Sequence, residues 1–148
     1  MSEKNLEFKQ IKSDKDIRRI HEFNVKAFSD EDLSWTYENL KKYIANGWDL
    51  YTADFKSDTV AALFIKQEES SLHTRNTSIG VDFQGNGFSH MIKDYFEDLA
   101  YERKLNSVIN YCPFDNFRMI SLNERHHYTK TGNKYGKNNE IIEWEKKI

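Results

Sequence analysis

At 148 residues, 38% hydrophobic and 31% charged, the chain is long enough for one domain with its own core, too short for two ordinary ones, and far from disordered compositions. Its net charge of -2 argues against a general nucleic-acid binder, for which a basic domain is expected. The single cysteine, Cys112, excludes an intramolecular disulfide and a cysteine-rich zinc site, and no stretch approaches the roughly 20 apolar residues that span a bilayer; a reducing, cytoplasmic setting with no membrane partner is the default expectation.

Residues 6–11, LEFKQI, alternate as a half-buried strand does, and Ile17, Ile20, Phe23 and Ala27, with Phe28 beside the last, recur at helical spacing. Ser29 ahead of Asp30, Glu31 and Asp32 reads as an N-cap with acids in the first turn. Leu33, Tyr37, Leu40 and Ile44 then form the apolar stripe of a second helix that stops near Gly47. DLYTADF, a turn at Lys56-Ser57-Asp58 and TVAALFIK predict a hairpin, and His73 to Val81 predicts a third strand after a turn near Ser70-Ser71. Phe88, Met91, Ile92, Tyr95, Phe96, Leu99 and Ala100 make the clearest helix of the chain. SVINYC (107–112) is a short strand, Asn116 to His127 a further helix, and the remainder, ending EIIEWEKKI, two terminal strands. The resulting order, β, α, α, β, β, β, α, β, α, β, β, is an antiparallel meander followed by a β-α-β crossover, an α/β (α+β) sandwich of sheet and helices in a single domain over 1–148.

Between the third strand and the clearest helix lies FQGNGFSHMI. The first four N–H groups of a helix have no partner within it, and the aligned peptides place about half a positive charge there, so a phosphate fits that end. Gly85 and Gly87 let the backbone approach a ligand, and Gln84 adds a side-chain donor. Phe88-Ser89 and His90 fit neither a P-loop, which needs Lys and Ser or Thr after its second glycine, nor a dinucleotide fingerprint, which needs a third glycine. On its own, GNG before a helix also reads as a plain turn.

The order of elements, with Gln84, Gly87 and Ser89 at the places of a Gln/Arg-x-x-Gly-x-Gly/Ala loop, resembles the GNAT superfamily of acyl-CoA-dependent N-acyltransferases. Ile79 stands where that family has the hydrophobic residue of strand four, and Asn116 stands after strand five where it usually has an Asn. The resemblance covers roughly residues 60–148. It implies a mixed, mostly antiparallel sheet of six to seven strands flanked by about four helices, and acetyl-CoA or another short acyl-CoA as cosubstrate. The implied cofactor surface runs from Ile79 and Val81 through Gln84, Gly85, Asn86, Gly87, Phe88 and Ser89 to Asn116.

Three places depart from the family pattern. Ser89 replaces the last small residue of the loop; His127-Tyr128 stands where Gly-Phe is usual, so the chain is expected to leave its last helix differently; and Asn123 occupies the position of the Tyr that many members use as general acid near the thiolate.

In the family an amine attacks the thioester carbonyl directly while a backbone N–H of strand four faces the carbonyl oxygen, an effect worth roughly 3 kcal/mol in other enzymes. An alkylammonium of pKa about 10.4 must first lose its proton. Counting back six residues from Ile79, to where several members carry a Glu, gives His73, whose imidazole titrates near neutrality. His73, Arg75, Thr77 and Ile79 share one side of the strand; Tyr111 on strand five, and Glu68 and Glu69 acting through water, are further candidates.

Arg118, Arg125, Lys130, Lys134 and Lys137 against Glu124 make a basic stretch suited to the phosphates of coenzyme A, or simply a solvated face. Asp30, Glu31, Asp32 and Glu38 lie where the family binds its acceptor and would attract a small-molecule or peptide amine, with Trp35 and Tyr37 on the same wall; helix capping and core packing explain the same residues without function. His126 and His127 point in different directions on a helix and spacing supplies no third ligand, so no metal is expected. A homodimer is compatible with this reading. The alternative to an enzyme is a GNAT fold that binds acyl-CoA, or has lost it, as a regulatory or interaction module.

Overall fold

The computed structural model describes residues 5–27 and 36–148. Seven strands form one sheet in the order β1-β2-β3-β4-β5-β7-β6. The chain packs as two compact units, Met1–Ile65 with Asn76–Phe88, and Lys66–Arg75 with Ser89–Ile148; strands β3 (Asp58–Glu68) and β4 (Ser71–Ile79) run through both.

In the first unit, β1 (Glu7–Ile11) pairs antiparallel with β2 (Asp49–Phe55), which pairs antiparallel with β3 through a tight turn where Lys56 and Ser57 take positive φ. Helix α1 (Asp14–Ala27) contributes Ile17 and Ile20, and α2 (Tyr37–Ala45) contributes Leu40, to a core with Ile11, Leu50, Ala62 and Phe64. Tyr37 ties the two helices, its hydroxyl donating to Asp14 and its ring lying 4.3 Å under the Arg18 guanidinium.

The predicted cap of α2 is corrected by the structure. Thr36, extended at φ -67 and ψ 151, accepts from Asn39 N at 3.2 Å, so α2 starts at Tyr37 and Ser29 cannot be its cap. Phe28, Ser29, Asp30, Glu31, Asp32, Leu33 and Trp35 lie outside the described residues, and Glu38 is exposed in the first turn of α2.

In the second unit, β5 (Ser107–Pro113) pairs parallel with β4 over four residues, Ser71↔Ser107 to Thr74↔Asn110, and antiparallel with β7 (Ile141–Lys147), which carries β6 (Thr129–Tyr135) at its other edge. Helix α3 (Phe88–Glu102) buries Ile92, Phe96 and Ala100. It also buries Lys93, 1% exposed, whose ammonium has no hydrogen-bond partner among the described residues and lies 4.3 Å from the Tyr128 ring; burial pushes it from 10.5 down to about 7.

Helix α4 (Phe117–Arg125) shows why the expected change of exit at His127-Tyr128 does not occur. His127 N donates to Glu124 O at 3.1 Å and Tyr128 N to Asn123 O at 2.9 Å, the paired bonds of a Schellman motif, with His127 at φ +68. His127 thus adopts the backbone a glycine favours, and Tyr128 is buried beyond it.

Two boundaries also move. The β3–β4 turn centres on Glu69, at φ +56, so β4 begins at Ser71; and Val81 opens a 3-10 turn, Val81–Phe83, after the strand has ended.

Candidate functional site

The junction from β4 to α3 is fixed at its base and bare at its tip. Gly80 N donates to Val60 O at 2.8 Å, and a Cβ at Gly80 would meet the Phe23 ring at 3.0 Å, so a larger residue here would have to push that ring aside. Phe83 N closes the 3-10 turn on Gly80 O at 2.9 Å, and buried Phe88 packs its ring 5.4 Å from Phe55 and 6.3 Å from Phe83, anchoring the first residue of α3.

Gly85 and Gly87, at φ +82 and +80, both require the left-handed region, and no described heavy atom lies within 4 Å of a Cβ built on either. Gln84, expected as a side-chain donor, donates through Nε2 to Ile79 O at 3.1 Å, closing the loop on the strand that precedes it. Asn86 Nδ2 donates to Phe83 O at 3.3 Å. The first turn of α3, with Ser89 and His90 half-buried, carries no acidic residue, so nothing there neutralises the positive helix end.

In the second unit, His73 on β4 and Tyr111 on β5 come together. His73 Nδ1 is 2.9 Å from Tyr111 Oη and the rings stack at 5.8 Å. Burial lowers the His73 imidazole below its usual 6.5, against the opposing charges of Glu68 and Glu143. Burial, with Glu143 and Tyr135 beside it, raises the Tyr111 phenol to about 12.

Glu143, directly across the β5–β7 ladder from Tyr111, did not stand out in the sequence. It accepts from Tyr135 at 2.8 Å, Thr131 at 2.9 Å and Asn133 at 3.1 Å, all from exposed β6. Burial alone would raise its carboxyl; those three hydrogen bonds outweigh burial and hold it below the usual range. The alternation of EIIEWEKKI was the available signal, since it places a Glu on the strand face opposite Trp144's. Glu68 and Glu69 are exposed, with Glu68 3.5 Å from Lys66.

Asn123 has an internal place. Wholly buried on α4, it donates through Nδ2 to Asn110 Oδ1 at 3.1 Å; Asn110 donates to Thr74 at 3.2 Å, and Thr74 to Ile109 O at 2.8 Å. Asn116 caps α4, accepting from Met119 N at 3.1 Å. Arg118, Arg125, Lys130, Lys134 and Lys137 are all exposed.

The same arrangement of strands and helices recurs in solved N-acetyltransferases. The ribosomal-protein-S18-alanine N-acetyltransferase of Escherichia coli superposes with a TM-score of 0.79 at 12% identity, over 97% of this chain and 94% of that one. The spermidine N-acetyltransferase SpeG of Vibrio cholerae, as its F149G mutant, gives 0.71 at 15% identity, over 96% and 93%. The PaiA N-acetyltransferase of Thermoplasma acidophilum, solved with coenzyme A, gives 0.72 at 10% identity, over 97% and 99%. No protein-family model and no curated protein matches the sequence. The chain has the GNAT fold of these acetyltransferases. No helix among the described residues is long and apolar enough to cross a membrane.

Proposed function

We propose that the protein is an acyl-CoA-dependent N-acyltransferase that moves acetyl from acetyl-CoA to a primary amine by direct attack. The observation that carries this reading is the loop Gln84–Gly87: two left-handed glycines with open space at their Cβ positions, tied down by Gln84 and Phe88, opening a 15-residue helix with no acid in its first turn. Backbone N–H groups there suit the pyrophosphate of coenzyme A, with Ile79, Val81, Gly85, Asn86 and Ser89 along the same segment and Asn116 assigned by resemblance.

His73 is the proposed base. With Nδ1–H donating to Tyr111 Oη, the lone pair sits on Nε2, and the lowered pKa keeps the imidazole neutral, able to take a proton at neutral pH. His73 takes the proton of the substrate ammonium, and the freed amine nitrogen forms its bond to the acyl carbon as the C–S bond breaks. Coenzyme A leaves as thiolate, and the second N–H proton, released as the amide forms, passes to water. Tyr111 is the residue that orients His73. A phenol near 12 is a weaker acid than an ordinary thiol, about 8.5, so Tyr111 does not protonate the thiolate, which leaves charged.

The second reading, a GNAT-fold module that binds acyl-CoA without turnover, is favoured by one observation: Asn123, at the position of the family's acid, is sealed in the core. Titration with acetyl-CoA followed by melting tests the shared part, because a ligand at about 100 times its dissociation constant adds roughly 2.7 kcal/mol. No shift at millimolar acetyl-CoA rejects both readings. Given a shift, free-thiol release with a panel of polyamines, amino acids and peptides supports the enzyme, and its absence across the panel supports the module.

A further inference from the structure

Helix α3 carries His90, Asp94 and Glu97 on one face, at i, i+4 and i+7. The C-cap residue of α4, His126, meets them there, and the ligand atoms of Asp94, Glu97 and His126 lie within 4.8 Å of one another. His126 Nδ1 is 3.4 Å from Glu97 Oε2 and 3.8 Å from Asp94 Oδ1. Its other nitrogen, Nε2, is 2.8 Å from His90 Nδ1, with the two rings stacked at 5.1 Å.

The oxygens of Glu97 have separate surroundings. Oε1 accepts from the Lys146 ammonium, whereas Oε2 is shielded from solvent and accepts no hydrogen bond among the described residues. When His126 donates Nε2–H to His90, its Nδ1 lone pair faces two carboxylate oxygens, and a cation between them satisfies all three; in the opposite tautomer Nδ1–H points at Glu97 instead.

We propose that Asp94, Glu97 and His126 bind a divalent transition-metal ion, with Zn2+ as its representative, and that His90 is the outer partner fixing the His126 ring. Ligand atoms about 2.1 Å from a tetrahedral ion stand about 3.4 Å apart, which matches the His126–Glu97 spacing and lies close to the His126–Asp94 one. Asp94, with its side chain 66% exposed, has the freedom to swing toward Glu97, from which its ligand oxygen lies within 4.8 Å, and leaves the fourth position to water. One imidazole with two carboxylates suits Zn2+ or its neighbours better than Ca2+, which prefers six to eight oxygens. The far N–H of a ligating histidine is ordinarily held by an outer acceptor, most often a carboxylate, carbonyl or water, and here His90 Nδ1 takes that place. Sequence spacing could not reveal the site, since it joins one helix face to a residue almost 30 positions away. It stands independently of the acyl-CoA reading.

The test uses the full chain after chelator treatment. Equilibrium dialysis with Zn2+ is expected to give one ion per chain, and Co2+ in its place is expected to give a visible absorption band from a nitrogen-containing, low-coordinate site. Asp94→Asn, at an exposed position where folding is not at risk, should weaken Zn2+ binding at least about tenfold, and His126→Gln should abolish the Co2+ band. Absence of saturable uptake, or uptake unchanged in Asp94→Asn, overturns the proposal.

Discussion

Replacing Asn123 by Ala asks whether the position of the family's acid acts in chemistry or in the core. The substitution removes the donor to Asn110 Oδ1, an acceptor on a residue only 2% exposed, and a buried acceptor left without its partner costs about 1–3 kcal/mol. Trimming the side chain adds a small cavity. Against this, Asn123 Oδ1 is itself buried without a partner among the described residues, and its removal returns part of the loss. The balance is a destabilisation of about 1–3 kcal/mol, or roughly 3–10 °C in Tm for a chain of this length. Urea melts read by far-UV circular dichroism measure it, provided the slope matches wild type. Asn110→Ala combined with Asn123→Ala should cost less than the sum of the two, with a coupling of about 1–2 kcal/mol. Thiol release per folded molecule should stay within about threefold. A stability loss under about 0.5 kcal/mol, or a hundredfold fall in kcat at intact stability, would refute the internal role and return Asn123 to the chemistry. Asn123→Tyr, which restores the family residue, should overpack the site and destabilise rather than supply an acid.

Gly87→Ala forces a Cβ into the left-handed region at about 1–2 kcal/mol; since nothing described crowds that Cβ, the fold should survive while acetyl-CoA affinity measured by calorimetry drops about tenfold, and an unchanged affinity rejects the cradle. If His73 is the base, the acid limb of kcat/KM lies below pH 6.5, because burial lowers its pKa and the neutral form must be present; His73→Ala should remove that limb, and its persistence excludes His73. His127→Gly should stabilise the protein by about 0.5–1 kcal/mol, the left-handed strain relieved less the added freedom of the unfolded chain, and a lower Tm contradicts this. In chelator-treated protein the unfolded chain holds more protons than the folded one between about pH 7 and 10.5, so Lys93 makes stability climb with pH across that window; Lys93→Met should flatten the climb and stabilise most below pH 7, with about 5 kcal/mol as the ceiling, and an unaltered climb assigns it elsewhere.

The strands and helices were legible because hydrophobic period carries them: the Phe88–Ala100 stripe and the DLYTADF and TVAALFIK runs fall where α3, β2 and β3 form. The start of α2 was misread because Ser29 followed by three acids has the chemistry of a cap, but so does Thr36, and only backbone geometry identifies the hydroxyl that caps this helix. Glu143 was invisible for a related reason. Its partners, Tyr135, Asn133 and Thr131, lie 8 to 12 residues away on another strand, and no local pattern announces a carboxylate gathered by an edge.

The loop and the two changed positions on α4 divide along one physical line. Where a pattern encodes backbone conformation, another residue can keep it: His127 takes the left-handed conformation usually given to glycine, and the helix ends as it would have with one. Where a pattern encodes a side chain's proton, substitution removes the chemistry even though the position is retained, as at Asn123, whose amide can only join a hydrogen-bond chain to Asn110 and Thr74. Gly85 and Gly87 are of the first kind, since the proposed phosphate cradle, built from N–H groups, asks the side chains mainly to stay out of the way. In the proposed function, acyl-CoA binding therefore draws on features that tolerate this sequence's departures from the family pattern, while the proposed turnover draws on His73 oriented by Tyr111, two side chains whose 2.9 Å contact a single Tyr111→Phe substitution would remove.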